Sequence, residues 1–178
     1  MDIPSFLLLN IWCMQGSEHM DKLVSVDHNA LRFNQALIIF FSVVGFIANS
    51  IWLVSLVGLI MLLGSLAGRP GFWFLYKGIA VRFGWIKPEV IADHPEPHRF
   101  AQTLGGLFLV GSGAAFLFEV TLLAWALCWV VIFLASLNLF AGFCVGCFVY
   151  YWLSRTGIPG FSKNPPPNTF PGMRPKTR

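Results

Sequence analysis

Residues 100–151 read FAQTLGGLFLVGSGAAFLFEVTLLAWALCWVVIFLASLNLFAGFCVGCFVYY, an apolar run with few polar residues in it. At about fifty residues, the run exceeds the ~20 residues that one helix needs to cross the hydrocarbon core of a bilayer. Glu119, near its middle, is where we expect the chain to fold back. The run therefore predicts two transmembrane helices, at about 99–118 and 122–150, with a cysteine pair at the far end of the second.

The first half of the chain has the same organisation. Asp27 is a good N-cap for a helix over about 29–48, and Asn49-Ser50 separates this helix from a second apolar helix over 51–67. The alternative is one helix through 36–67, which would be ~48 Å long at 1.5 Å per residue, against a hydrocarbon core of ~30 Å. The sequence therefore predicts an all-α membrane protein with four transmembrane helices, built as two tandem helical hairpins.

Composition supports a membrane protein and excludes several other classes. Of the 178 residues, 56% are hydrophobic and 11% are charged, whereas a soluble domain is ~25% charged. The chain is long enough for one helical bundle and too short for a bundle plus a soluble enzyme domain. We see no nucleotide-binding loop, zinc-protease helix or serine-nucleophile elbow. We therefore expect the lipid bilayer as a partner, no nucleic acid, no cofactor and no metal, and whether the protein is an enzyme stays open.

The segments around the predicted helices carry the basic residues. We expect 1–26 to be interfacial or disordered, 27–153 to form the membrane domain, and the proline-rich residues 154–178 to be a disordered tail. Within the membrane domain, 68–98 is an aromatic and basic loop suited to the headgroup layer. All 12 Lys and Arg lie in the N-terminal segment, the loop, the tail or the helical turns beside them. The positive-inside rule then places both termini in the cytoplasm.

A short motif occurs twice. Arg32-Phe33-Asn34-Gln35 recurs as Arg99-Phe100-Ala101-Gln102, and each copy opens one of the two predicted hairpins. Two hairpins with the same orientation would be related by a pseudo-two-fold axis along the membrane normal. Apolar sequences also align by chance, so an internal repeat and two unrelated hairpins are alternatives.

Two motifs at the ends of the predicted membrane domain resemble a known family. Asp27-His28-Asn29-Ala30-x-Arg32-x-Asn34-Gln35 begins the domain, and Gly142-Phe143-Cys144-x-Gly146-Cys147-x-x-Tyr150 ends it. Together they are similar to an uncharacterised bacterial integral-membrane family, catalogued only as a domain of unknown function, over about residues 27–151. The resemblance implies four spans in a bacterial plasma (inner) membrane and no established activity. Genes of that family often lie near thioredoxin-like or rhodanese-like ones, which implies such a soluble protein as a partner in thiol redox or sulfur chemistry.

Cys144 and Cys147 are the first candidates for chemistry. At positions i and i+3 of a helix, two sulfurs share a face, and such a pair can be a redox dithiol, a soft-metal site or a sulfur acceptor. Zinc would need two more ligands, which Cys13 and Cys128 are poorly placed to supply. Membrane cysteines can also be small apolar fillers. At the cytoplasmic end of the last helix, the resting state would be the dithiol.

A second group of candidates is polar and lies near the predicted cytoplasmic ends of the first and third helices. Its members are His28, Arg32, Asn34, Gln35, Arg99 and Gln102. Converging arginines can bind a small anion such as thiosulfate, sulfite or phosphate. The alternatives are that the arginines reach lipid headgroups and that the amides hydrogen-bond neighbouring helices. We expect Glu119 to be solvated in its turn, with a role in a proton relay as the alternative. His94 and His98 could ligate a metal, but we expect them to lie in an extended, solvated linker over 88–98.

Three functions remain open. The cysteine pair favours an accessory role in thiol redox or sulfur handling, in which Cys144 and Cys147 exchange electrons or sulfur with a soluble partner. The arginines favour a small anion or solute carrier. We would expect such a carrier to be a homo-oligomer, because four short helices enclose little space. A structural subunit of a larger membrane complex would leave the cysteines inert.

Overall fold

The structure, a computed structural model, describes residues 24–158, 160–166 and 169–175. The segment 1–26, predicted to be interfacial or disordered, lies outside the described residues except for its last three. The described helices are α1 His28–Ile47, α2 Ile51–Leu66, α3 Trp73–Leu75, α4 Pro95–Leu117, α5 Thr121–Ser136 and α6 Val145–Arg155. The π-helical turns Tyr76–Val81 and Leu137–Ala141 follow α3 and α5, and the strands are β1 Val24–Asp27 and β2 Val90–Asp93.

The two strands form an antiparallel pair that the sequence did not predict. Val24 lies opposite Asp93, and Asp27 lies opposite Val90. Because β1 leads directly into α1 and β2 leads into α4, the pair holds the N-termini of these two helices at one end of the molecule. The region 88–98, predicted to be an extended linker, is instead a strand followed by the first turn of α4. The chain is therefore mostly helical rather than all-α.

Asp27 fixes the start of α1. Its Oδ1 accepts hydrogen bonds from the backbone N–H groups of Asn29 and Ala30, at 3.0 and 3.2 Å, which makes Asp27 the N-cap of the helix. Oδ1 also accepts from the N–H of Glu89 at 3.1 Å, and Oδ2 accepts from the Tyr76 hydroxyl at 2.7 Å. One carboxylate therefore joins α1, the segment before β2 and the π-helical turn after α3.

The chain reverses at Asn49 and Glu119, which both have left-handed backbone conformations, with φ of 48° and 62°. α1 and α2 are therefore antiparallel neighbours, as are α4 and α5. α4 packs against α2, α5 and α6, and α1 packs against α2 and α5. The shared interior is apolar, with Ile38, Val54 and Leu109 almost completely buried.

Three helical segments are long and apolar enough to cross a membrane, namely His28–Ile47, Pro95–Leu117 and Thr121–Ala141. α2 is also apolar but shorter, at 16 residues. Large apolar side chains such as Trp52 and Leu63 are exposed on the outside of the helices, where lipid would cover them. These features are those of a membrane protein. The predicted fourth span and the internal repeat stay predictions.

The helix predicted over 122–150 is interrupted. Gly142 has a left-handed conformation, with φ of 65°, which ends the helical run at Ala141 and lets the chain turn before α6. After the turn, α6 packs against α4. An unbroken helix would have kept the cysteine pair inside α5, whereas the break places the pair at the N-terminus of a new helix.

Residues 169–175, part of the tail predicted to be disordered, return to this turn. The N–H of Cys144 donates a hydrogen bond to the Gly172 carbonyl at 2.7 Å, and the N–H of Arg174 donates to the Gly142 carbonyl at 3.1 Å. Backbone groups that the turn leaves without helical partners are paired in this way. This part of the tail therefore lies against the N-terminus of α6.

Candidate functional site

α6 begins at the cysteine pair. Cys144 is its N-cap, and the Cys144 Sγ accepts a hydrogen bond from the N–H of Cys147 at 3.2 Å. Both side chains are buried. Gly146 lies so close to α4 that a Cβ on it would come within 2.5 Å of the Ala101 Cβ. Because the N-terminus of a helix stabilises negative charge, this position favours the thiolate of Cys144.

Asp93, at the end of β2, lies between two histidines. Its Oδ2 is 2.9 Å from His98 Nε2 and 3.2 Å from His28 Nε2, and its Oδ1 accepts a hydrogen bond from the N–H of His94 at 2.8 Å. The Asp93 and His28 side chains are almost completely buried, while 20% of the His98 side chain is exposed. The contact with His28 is not aligned as a hydrogen bond, so this ring nitrogen has no hydrogen-bond partner among the described residues.

His98 connects Asp93 to the cysteine pair. Its Nδ1 lies 3.5 Å from the Cys147 Sγ, and its Nε2 faces the Asp93 carboxylate. Since a carboxylate only accepts hydrogen bonds, Nε2 carries the proton and Nδ1 of the neutral ring is free to accept one. The thiol of Cys147 can then donate its proton to His98, whose cation Asp93 would stabilise.

The pKa values of the groups around His98 diverge. Burial raises the pKa of Asp93, but the contacts with His28 and His98 outweigh it and hold this pKa well below its usual range. The hydrogen bond from Cys147 lowers the pKa of Cys144 to about 7, against the opposing effect of burial and with help from the charge of His98. Burial and the neighbouring Cys144 raise the pKa of Cys147. Cys144 is therefore the cysteine that forms a thiolate near neutral pH, whereas Cys147 keeps its proton.

A small cavity of ≈ 30 Å³ adjoins these groups, which exceeds the ~10–15 Å³ that one water molecule needs. Its polar lining comes from α1, the β2–α4 junction, the turn after α5, the cysteine pair and the tail. The residues that contribute are His28, Arg32, Gln35, Asp93, His98, Asn138, Cys144, Cys147, Tyr151 and Arg174.

The predicted site residues divide into two sets. His28, Arg32, Gln35, Cys144 and Cys147 all line the cavity, so the structure brings together the two groups of candidates that the sequence kept apart. The remaining three, Asn34, Arg99 and Gln102, are not in its lining.

Those three residues hydrogen-bond to backbone groups elsewhere. The Asn34 side-chain oxygen accepts from the N–H of Phe72 at 3.0 Å. Arg99 donates from Nε and Nη2 to the Ser65 carbonyl, and Gln102 donates to the Met61 carbonyl at 2.8 Å. The predicted convergence of two arginines and two glutamines does not occur, because this face of α4 pairs with the C-terminal carbonyls of α2.

Sequence reasoning missed Asp93, His98 and Arg174. His98 was assigned to a solvated linker because Pro95 and Pro97 precede it, and Arg174 was placed in a disordered tail. Pro95 is in fact at the start of α4, where proline is favoured because its missing N–H has no helical partner. A proline at the first position of a helix is a signal in the sequence, and it would have placed His98 in the first turn of α4.

Three of these groups could also hold a metal. His28, Asp93 and His98 each offer one ligand atom, and these atoms lie within 4.8 Å of one another. Two histidines and one carboxylate suit a divalent transition metal. A metal there would replace the contacts between Asp93 and the two rings, so metal binding and a proton relay through His98 are alternative uses of the same residues.

The comparisons with known proteins concern the same part of the chain. The profile of the family described as Domain of unknown function (DUF4395) matches residues 26–155. This range contains the histidines, Asp93 and both cysteines, while Arg174 lies beyond it. No curated protein and no solved structure matches the chain. The match covers well over half of the chain, which therefore belongs to the DUF4395 family.

Proposed function

We propose that the protein is a membrane-bound thiol–disulfide exchange protein that uses Cys144 and Cys147. The observation that carries the proposal is the position of the pair at the N-terminus of α6, with the Cys147 Sγ 3.5 Å from His98 Nδ1. A reactive thiolate needs a low pKa, and a resolving thiol needs a base. The lowered pKa of Cys144 meets the first need, and His98 Nδ1 beside the Cys147 thiol meets the second.

The exchange proceeds in two steps. The Cys144 thiolate attacks one sulfur of a partner disulfide, the partner S–S bond breaks, and the leaving thiolate takes its proton from the His98 cation, which leaves the ring neutral. Cys147 then gives its proton to His98 Nδ1 and attacks the Cys144 Sγ. The second partner thiolate leaves and takes that proton. Two electrons pass to the partner, which becomes a dithiol, while the chain acquires the Cys144–Cys147 disulfide.

Asp93 acts on the reaction through His98. It fixes the ring with Nε2 protonated, so that Nδ1 faces Cys147, and it stabilises the cation that forms during the second step. His94 holds the other carboxylate oxygen through its backbone N–H. Asp93 is therefore a positioning residue rather than a group that touches the partner.

The proposed setting is a four-span protein whose cysteine pair faces the cytoplasm. The N-termini of α1 and α4 lie at the same end because β1 pairs with β2, and Arg32, Arg99 and Arg155 belong to elements at that end. The positive-inside rule favours this end as cytoplasmic.

A thioredoxin-like or rhodanese-like soluble protein with an exposed cysteine would be the partner. Labelling of Cys144 in inverted but not in right-side-out vesicles tests the orientation.

The activity is tested with a small uncharged disulfide, 2-hydroxyethyl disulfide, and the reduced full-length chain in detergent. We expect consumption of one disulfide per chain, lost in Cys144→Ser and unchanged in Cys128→Ser, whose thiol is buried within α5. A chelator should not change the rate. Cysteines that do not react would instead favour the other two predictions, an anion or solute carrier and a structural subunit. Loss of activity on chelation would make the His–Asp cluster a metal centre.

A further inference from the structure

The lining of the cavity beside Cys144 contains hydrogen-bond donors that have no acceptor among the residues that the structure describes. Arg32 and Gln35 come from α1, Asn138 from the turn after α5, and Arg174 from the tail. Within the described parts of the chain, none of these four side chains makes a hydrogen bond or an ion pair. Four donors from three separate elements therefore converge on a space that holds no protein acceptor for them.

The charges at the cavity are also unbalanced. Burial and then the charge of Arg32 lower the pKa of Arg174, and Glu89 only partly opposes this. Asp93 is the carboxylate in the lining of this cavity, but its oxygens are taken by the histidines and by the N–H of His94. Two guanidinium groups without a carboxylate partner are the typical environment of a bound oxyanion.

Resting on the proposed function, we infer that the cavity binds a small sulfur oxyanion that carries a transferable sulfur, of which thiosulfate is the simplest. Arg32 and Arg174 would hold the oxygens, with Gln35 and Asn138 as further donors, and the outer sulfur would face Cys144. The interior of ≈ 30 Å³ excludes a large ligand. Arg32 lines the cavity and is exposed to solvent, so an ion of few heavy atoms can reach it from outside.

The reaction balances without a further reagent. The Cys144 thiolate attacks the outer sulfur of thiosulfate, the S–S bond breaks, and sulfite leaves with the electron pair of that bond and takes the proton of the His98 cation. The product is a persulfide on Cys144. Cys147 gives its proton to His98 and attacks the Cys144 Sγ, which releases the transferred sulfur as hydrosulfide and leaves the Cys144–Cys147 disulfide. Two electrons from the dithiol have then reduced the outer sulfur.

The test measures sulfite release from thiosulfate by the reduced full-length chain, beside exchange with 2-hydroxyethyl disulfide. We expect Arg32→Gln and Arg174→Gln each to raise the KM for thiosulfate at least tenfold more than the KM for the uncharged disulfide. Arg82→Gln, which removes an exposed cation from the loop outside the cavity lining, is the matched control and should change neither KM.

The outcomes separate the inference from the proposed function. Exchange with the uncharged disulfide without any sulfite release overturns the oxyanion inference and leaves the proposed function standing, whereas absence of both reactions in the wild type overturns both.

A lipid phosphate could occupy the same donors. Inhibition by phosphatidylglycerol in nanodiscs without inhibition by inorganic phosphate would identify the site as a headgroup site and overturn the inference. Equal changes in the KM for thiosulfate and the KM for the uncharged disulfide in the arginine variants would also overturn the oxyanion inference.

Discussion

Cys147 Sγ lies 3.5 Å from His98 Nδ1, although the two residues are 49 positions apart in the sequence. The contact gives a buried thiol a base that can take its proton, and Asp93 on the other side of the ring fixes the direction of transfer. Both cysteines line the cavity, and Cys144 has the lower pKa of the pair. The order of reaction follows, with Cys144 as the attacking sulfur and Cys147 as the resolving one.

Cys147→Ser should trap the first step. Without the resolving thiol, the mixed disulfide between Cys144 and a partner or a small thiol cannot be released, so it accumulates. Mass spectrometry of the intact chain measures the adduct, and Cys144→Ser is the control that should carry none. An adduct on Cys147 in the Cys144→Ser variant, at an equal rate, would contradict the assigned order.

The alkylation rate of Cys144 should follow its thiolate fraction. Because its pKa is lowered to about 7, the rate should be half-maximal near pH 7, fall at lower pH and level off above it, whereas an unperturbed thiol has its midpoint at ~8.5. The charged and titratable groups that line the cavity together with Cys144 are His28, Arg32, Asp93, His98, Cys147, Tyr151 and Arg174.

His98→Gln should move this midpoint to higher pH, because it removes a group whose positive charge favours the thiolate. The measurement is iodoacetamide labelling followed peptide by peptide in the reduced chain. A midpoint at the value of a free thiol in the wild type, unmoved by His98→Gln, would rule out an activated Cys144.

Asp93→Asn should slow disulfide exchange by roughly 10²-fold, because the ring of His98 loses the carboxylate that fixes its tautomer and stabilises its cation. The same change should lower the free energy of unfolding by about 1–3 kcal/mol, since buried ring nitrogens lose a charged partner. Exchange rates and thermal unfolding in detergent give the two readouts. Glu119→Gln, at the exposed turn after α4, is the control and should alter neither. An Asp93→Asn chain that melts lower but exchanges at the wild-type rate would reduce Asp93 to a structural role.

Gly172→Val should uncover Cys144. At Gly172, with φ of +85°, a Cβ would lie 2.9 Å from the Cys144 carbonyl oxygen, so the tail must move away from α6. Gly160 has φ of +98° and no neighbour within 4 Å, so Gly160→Val introduces similar backbone strain without the collision. We expect a bulky maleimide to label Cys144 several times faster in Gly172→Val only. Equal labelling of both variants would show that the tail does not cover the site.

The fold was predictable where local rules decide it. Asp27 is an N-cap by its side-chain chemistry, and Asn49 and Glu119 are polar residues inside apolar runs. The break at Gly142 was not predictable in the same way, because Gly105 and Gly106 lie inside α4 without ending it. Whether a glycine breaks a helix depends on the contacts on either side, which no short window of sequence contains.

The site was predictable in its parts and not in its assembly. Cys144, Cys147 and Arg32 are unusual residues for an apolar chain and stand out in the sequence. Their meeting with His98 depends on the pairing of β1 with β2 and on the turn before α6, which are tertiary features. The repeated Arg-Phe-x-Gln motif misled the prediction because Arg99 faces the end of α2 rather than the cavity.

The most direct test of the central claim is a redox titration of the full-length chain in membrane vesicles, with Cys13 and Cys128 replaced by Ser. The vesicles are equilibrated in glutathione buffers of defined potential, and the free thiols are then counted by a mass-tagged maleimide. Thiol–disulfide exchange predicts that the free thiols of Cys144 and Cys147 disappear together in one two-electron transition. The ratio of disulfide to dithiol should then change tenfold per ~30 mV. Two free thiols at every potential, or two thiols that never react, would contradict the claim.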